Sequence, residues 1–144
     1  MRRNFLKLLS ASIFSLTLLP YKFLYAATKK IINKNLTEKQ KNILFNEETE
    51  RPFTSSLLHE KRDGFYHCVN CDAKLFSSNA KYDSGTGWPS FTEALPGAFN
   101  TKIDYSLGMK RVEYHCAKCG AHHGHVFEDG PSENGMRFCN NGLC

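Results

Sequence analysis

Cys116-Ala117-Lys118-Cys119-Gly120 runs directly into Ala121-His122-His123-Gly124-His125-Val126-Phe127, and the reading of this stretch decides how the rest of the chain folds. Its first part is a Cys-x-x-Cys knuckle, a turn in which two sulfurs face one ion, and Gly120 relaxes the tight backbone that such a turn requires. A second knuckle, Cys68-Val69-Asn70-Cys71, lies upstream. Paired knuckles supply the four thiolates of a tetrahedral zinc site, which is closed to water and substrate and therefore structural. The 44 residues between them, 72–115, are more than an ordinary zinc ribbon carries, so an inserted functional loop is expected. Two other readings compete: three disulfides among six cysteines if the chain is exported, and redox dithiols, which usually open a helix instead of flanking strands.

The second part of the stretch puts three histidines within four residues. On a regular strand His123 and His125 would share one face and His122 the other, but Gly124 permits a bulge that realigns them. A lone solvated histidine needs no explanation; three beside a reactive cysteine favour acid chemistry or metal ligation. Four sulfurs already satisfy a zinc ion, so acid chemistry is preferred. The cysteine is Cys139, in Gly135-Met136-Arg137-Phe138-Cys139-Asn140-Asn141-Gly142. A thiol attacks only as thiolate, and Arg137, two positions away on the same strand face, favours the anion.

Upstream, Leu36-Thr37-Glu38-Lys39-Gln40 announces a helix, with Thr37 as N-cap and Gln40 completing a capping box. The helix should run to about Glu48 with Ile43 and Leu44 inward, and Pro52 prevents its continuation. Beyond Pro52, short apolar pieces broken by Gly, Asn, Asp and Pro predict strands at 64–68, 74–76, 111–116, 125–127 and 136–139. The only tryptophan sits in Gly85-Thr86-Gly87-Trp88-Pro89-Ser90, where Gly87 and Pro89 argue for a loop against a central strand.

Residues 1–27 read as an export signal: Met1-Arg2-Arg3, an apolar run interrupted by Lys7 and Pro20, then Ala26-Ala27. Arg2-Arg3-Asn4-Phe5-Leu6-Lys7 matches the twin-arginine pattern, without its usual preceding Ser or Thr. An ordinary secretory signal and an uncleaved N-terminal anchor are the alternatives, and the periplasm is the expected destination. Residues 28–35 read as a tether and 36–144 as one domain. The formal charge of +5 owes four of its positive residues to the leader; 15 basic and 14 acidic residues remain, which removes the argument for nucleic-acid binding.

From Leu36 to Leu143 the chain resembles the methionine-R-sulfoxide reductases of the B type. The resemblance rests on Thr49-Glu50-Arg51-Pro52-Phe53, both knuckles, Asp83-Ser84-Gly85-Thr86-Gly87-Trp88-Pro89-Ser90-Phe91, Gly124-His125-Val126-Phe127-x-Asp129-Gly130-Pro131, and Arg137-Phe138-Cys139-x-Asn141. It implies a mainly β fold of two tilted antiparallel sheets, with small N-terminal helices and a structural four-cysteine zinc site at Cys68, Cys71, Cys116 and Cys119. It also implies a monomer that reduces the R epimer of methionine sulfoxide, free or in oxidised proteins, with electrons from a thioredoxin-like or other thiol donor. Cys139 would be the nucleophile and pass through a sulfenic acid. His122 and His125 would supply and orient the proton, Arg137 and Asn141 would hold and polarise Cys139, and Trp88 with Phe127 would bind the substrate.

Two features depart from the family. Thr86 stands where a recycling cysteine is often found, which leaves Cys144 as the candidate resolving cysteine or an external thiol acting directly on the sulfenic acid. An extended strand would separate Cys139 and Cys144 by about 16 Å at Cα, beyond the roughly 7 Å limit for a disulfide, so pairing requires a turn at 140–142. The family normally continues through one more strand beyond Cys144, and the sequence leaves open whether it is truncated there. The competing functions are a zinc-stabilised peptide-binding module and a thiol peroxidase or redox sensor.

Overall fold

Thr37 opens α1 (Glu38–Asn46) as a complete capping box, accepting from the Gln40 N–H at 3.2 Å while the Gln40 side chain accepts from the Thr37 N–H at 2.9 Å. The computed structural model describes residues 29–144. Glu47 turns left-handed at φ 61° and closes the helix two residues before its expected end, with Ile43 and Leu44 buried as expected. Several small N-terminal helices were implied; among the described residues one α-helix forms, and the two 3₁₀ turns, Ser78–Ala80 and Ser106–Gly108, lie among the strands.

The remainder is β: β1 (Phe65–His67), β2 (Lys74–Ser77), β3 (Lys81–Tyr82), β4 (Ser90–Phe91), β5 (Phe99–Asp104), β6 (Arg111–Cys116), β7 (His122–Phe127) and β8 (Arg137–Asn140). β1 and β2 form a two-stranded sheet, and the others form a six-stranded sheet in the order β3-β4-β8-β7-β6-β5; every pairing among the described residues is antiparallel. The strands expected from the sequence all appear, with β7 starting three residues earlier. β3, β4 and β5 were not expected. The first two are too short to show a period, and β5 is an edge strand whose four central residues are exposed or nearly so, so it lacks the alternation that marks a half-buried strand.

Aromatic packing joins the two sheets. Phe76 of β2 stacks on Phe91 of β4 at 4.0 Å and meets Tyr114 of β6 and Phe138 of β8 edge-on at 6.3 and 5.9 Å. Such pairs contribute about 0.5–1.5 kcal/mol each beyond the area they bury. The knuckles sit at the ends of β1 and β6. The stretch from Lys29 to Asn35, which offers little apolar surface, is held on them by polar bonds: Lys30 N–H donates to the Cys119 carbonyl at 3.1 Å, Ile32 N–H to Asn70 Oδ1 at 2.9 Å, and Asn70 Nδ2 to the Lys30 carbonyl at 2.8 Å. The leader read at residues 1–27 lies outside the described residues; among those described, no helix is long and apolar enough to cross a membrane.

The histidine strand carries the expected bulge. His115 pairs with His122 and Tyr114 with Gly124, so His123 is the extra residue between them. Beyond the bulge Gly124 faces Asn140, and His125 faces Cys139. β7 and β8 can approach there because position 124 has no side chain: a Cβ would lie 1.9 Å from the Cys139 carbonyl oxygen. Gly124→Ala is therefore expected to force the strands apart and to lower unfolding free energy by about 1–3 kcal/mol or more. Urea denaturation measures it, and an unchanged midpoint would contradict this packing.

Candidate active site

Cys139 lies in β8, flanked by Ser90 of β4 and His125 of β7 as its cross-strand partners. It is half-buried at one wall of a cavity of about 120 Å³ that Trp88, Arg111, His125, Phe127 and Asn141 also line. Arg137 is less free than the sequence suggests. Its guanidinium forms a two-pronged pair with Asp129, Nε to Oδ1 at 2.7 Å and Nη2 to Oδ2 at 2.8 Å, and lies 4.5 Å from the centre of the Phe127 ring. Burial pushes the Cys139 thiol above its ordinary value, and the Arg137 charge and the Thr86 hydroxyl pull it down without overcoming that effect. The Arg137 charge thus acts in the direction expected, toward the anion, while desolvation is the larger influence.

The two histidines read as one acid pair occupy different places. His125 lines the cavity, and its Nε2 donates to Asp104 Oδ2 at 2.9 Å. His122 is fully buried. Its Nδ1 meets Glu113 Oε1 at 2.6 Å, and its Nε2 faces Asn141 Nδ2 at 3.4 Å, so it touches the cavity wall only through Asn141. Glu113 also bonds His115 Nε2 at 2.7 Å and pairs with Lys102 at 3.2 Å. Burial works to raise its carboxyl, but the His115 and His122 hydrogen bonds outweigh burial and hold it well below the usual carboxylate range. His123 packs edge-on against Phe99 at 5.5 Å, and burial pushes its imidazole down to about 3, so it stays neutral.

Glu50 had no role assigned from the sequence, yet it ties three parts of the site together. Its N–H donates to Asn141 Oδ1 at 2.8 Å, its carbonyl accepts from Trp88 Nε1 at 2.8 Å, and its Oε2 accepts from the Gly142 and Leu143 N–H groups at 2.6 and 3.2 Å. Asn141 completes its set by donating from Nδ2 to the His123 carbonyl at 3.0 Å. Glu113 could have been noticed as a charged residue inside an apolar strand pattern. Asp104 could not, because it ends a strand that the pattern does not reveal.

The four knuckle sulfurs gather within 4.8 Å of one another, all from buried residues, with Cys68 to Cys119 at 3.8 Å and Cys71 to Cys116 at 3.5 Å. Disulfide sulfurs would be about 2.05 Å apart. A tetrahedron with metal–sulfur bonds of about 2.3 Å has edges of about 3.8 Å, so the cluster fits a tetrahedral metal ion. Cys144 is elsewhere. A turn does form, with Cys144 N–H donating to the Asn141 carbonyl at 3.1 Å, but the buried thiol points to the His122 carbonyl at 3.4 Å and lines a separate cavity of about 360 Å³ beside β1. Burial holds that thiol well above its ordinary value.

Removing the Glu50 side chain leaves two partly buried N–H groups without an acceptor. Glu50→Ala should therefore cost about 1–3 kcal/mol of stability, with Glu50→Gln milder because its amide oxygen still accepts. Equal denaturation midpoints for all three proteins would show that this bond set does not hold the 142–143 turn.

Residues 36–144 match the SelR domain. The chain is 55% identical over 111 residues to the peptide methionine sulfoxide reductase MsrB of Escherichia coli O45:K1 (strain S88 / ExPEC), an alignment covering 76% of this chain and 81% of that protein. It is 54% identical, over the same shares, to the MsrB proteins of Escherichia coli strain K12 / DH10B and of O157:H7 (strain EC4115 / EHEC). The cross-strand Cys139 and His125, the Trp88 loop and the four-cysteine cluster all lie within the matched span, and the chain belongs to the SelR family, that of the MsrB reductases.

Proposed function

We propose that this protein reduces the R epimer of methionine sulfoxide in proteins to methionine, with Cys139 as the nucleophile and His125 as the group that moves the proton. The observation that carries this reading is the placement of Cys139 opposite His125 on paired strands, both opening into a small cavity that Trp88 and Phe127 wall with aromatic surface. That cavity suits a methyl thioether head, and its one-sided aromatic wall favours one epimer over the other.

The balance of the reaction follows from the resting state of the pair. Burial raises the Cys139 thiol and lowers the His125 imidazole, which favours a neutral thiol beside a neutral ring. As the sulfur of Cys139 attacks the sulfoxide sulfur, its proton passes through His125 to the sulfoxide oxygen. The sulfur–oxygen bond breaks and the protonated oxygen leaves as hydroxide; the hydroxide then attacks the Cys139 sulfur, the sulfur–sulfur bond breaks, methionine leaves with that electron pair, and Cys139 is left as the sulfenic acid. No proton is needed from outside. One donor thiol then displaces water from the sulfenic acid to give a mixed disulfide, and a second releases Cys139. Thr86 beside Cys139 cannot act as a resolving thiol, and the buried Cys144 faces another cavity, so an external thiol, thioredoxin-like or other, is the proposed partner. His122 is assigned to holding Asn141 at the wall and not to touching the substrate.

The Cys68, Cys71, Cys116 and Cys119 cluster would hold zinc, which when bound fastens the ends of β1 and β6 and takes no part in the chemistry. The leader read in the sequence supports export to the periplasm, and the balanced charge of the remaining chain gives no footing for a nucleic-acid partner.

Cys139→Ser should abolish reduction of the R epimer with dithiothreitol as donor while leaving fold and metal content unchanged, because a hydroxyl is far less nucleophilic at neutral pH. Full residual activity would remove Cys139 from the mechanism. Elemental analysis should find one zinc per chain in both proteins. Cys68→Ser should lose that zinc and melt markedly lower, since structural zinc contributes roughly 10 kcal/mol or more in small sites; a metal-free wild type would overturn the zinc assignment.

A further inference from the structure

The two imidazoles at the site are held by opposite ring nitrogens. His122 gives Nδ1 to Glu113 and turns Nε2 toward Asn141; His125 gives Nε2 to Asp104, which leaves Nδ1 as its only ring nitrogen available to the cavity. Asp104 is itself fixed on both oxygens. Its Oδ1 accepts from the Ser106 N–H at 2.7 Å, and its Oδ2 accepts from Ser106 Oγ at 3.0 Å and from Arg111 Nη2 at 2.6 Å as well as from His125. A carboxylate clamped by a turn and a guanidinium cannot follow a rotating ring, so it sets the ring's angle.

We propose that Asp104 is a positioning residue for the reduction: by holding Nε2–H of His125 it presents Nδ1 to the thiol proton of Cys139 and then to the sulfoxide oxygen, and it stabilises the imidazolium formed between those two transfers. This rests on the functional reading above and names how its proton carrier is controlled. The position is reached from the end of β5, two strands away from β7, so the alignment depends on the β5–β6 hairpin end. The charges around His125 are consistent with this role. Asp104 on β5 and Glu113 on β6 favour the protonated ring, while Arg111 on β6 and His122 on β7 oppose it; Cys139 faces it from β8. Burial lowers His125 overall, so the nearest carboxylate is what keeps the imidazolium within reach.

The test uses the full chain with its metal and a peptide carrying the R epimer of methionine sulfoxide, with dithiothreitol as donor. Asp104→Asn should lower kcat by about tenfold to a thousandfold, less than the roughly 10²–10⁴-fold that a general acid itself contributes, with KM changed by less than about threefold. Removing the negative charge disfavours protonated His125, and the ring must be neutral to accept the thiol proton, so the acidic limb of the kcat profile should move to lower pH. Asp104→Glu should recover much of the rate. A purely structural role for Asp104 in the hairpin would lower thermal stability but leave the limb in place, and that result overturns the proposal. A measurement on the unsubstituted protein does not depend on a variant folding: nitrogen-15 shifts of neutral His125 should report the proton on Nε2, and a proton on Nδ1 overturns the proposal. If the wild type is active and Asp104→Asn matches it, only this inference fails; if the wild type reduces neither epimer, the functional reading fails and this inference with it.

Discussion

The close approach of β7 and β8 at Gly124 is the constraint on which the site depends. A carbonyl oxygen of β8 occupies the space where a side chain at 124 would stand, and the pairing that follows sets His125 opposite Cys139 and Gly124 opposite Asn140. Moving the register by one residue would send Cys139 and His125 to opposite faces of the sheet. The bulge at His123 matters for the same reason. It lets His122 turn toward Asn141 while His125, three residues on, faces the cavity, and the ladder with β6 continues on either side.

Around that pairing, the polar groups are arranged so that few have freedom to choose. Glu50 joins Trp88, Asn141 and the 142–143 turn through three different atoms, and Glu113 gathers two histidines and Lys102. Buried networks of this kind add rigidity only when their members are satisfied.

Charge and burial oppose each other at Cys139. A strand neighbour with a positive charge suggests an ionised sulfur, but that charge is shared with Asp129 and Phe127, and the sulfur is partly removed from water. A thiol that keeps its proton until a proton carrier and an acceptor oxygen are both in place is protected from stray oxidants, since thiolate character governs oxidation.

Local chemistry made much of this legible in the sequence. The capping box at Thr37, the paired knuckles, the loop nature of the Trp88 segment and the bulge permitted by Gly124 each follow from spacing, turn geometry or residue type within a few positions. The family resemblance singled out Asn141 and His125, which both line the cavity beside Cys139. What the sequence could not decide depended on distance through space. The edge strand β5 has one neighbour and no buried alternation, so neither it nor Asp104 at its end had a signature. The separation of His122 from His125 into a buried and a cavity-facing ring came from which carboxylate each one met, Glu113 or Asp104, on strands far along the chain. The balance at Cys139 was likewise tertiary, because desolvation is the sum of all neighbours brought around the sulfur, whereas the adjacent arginine is only one of them.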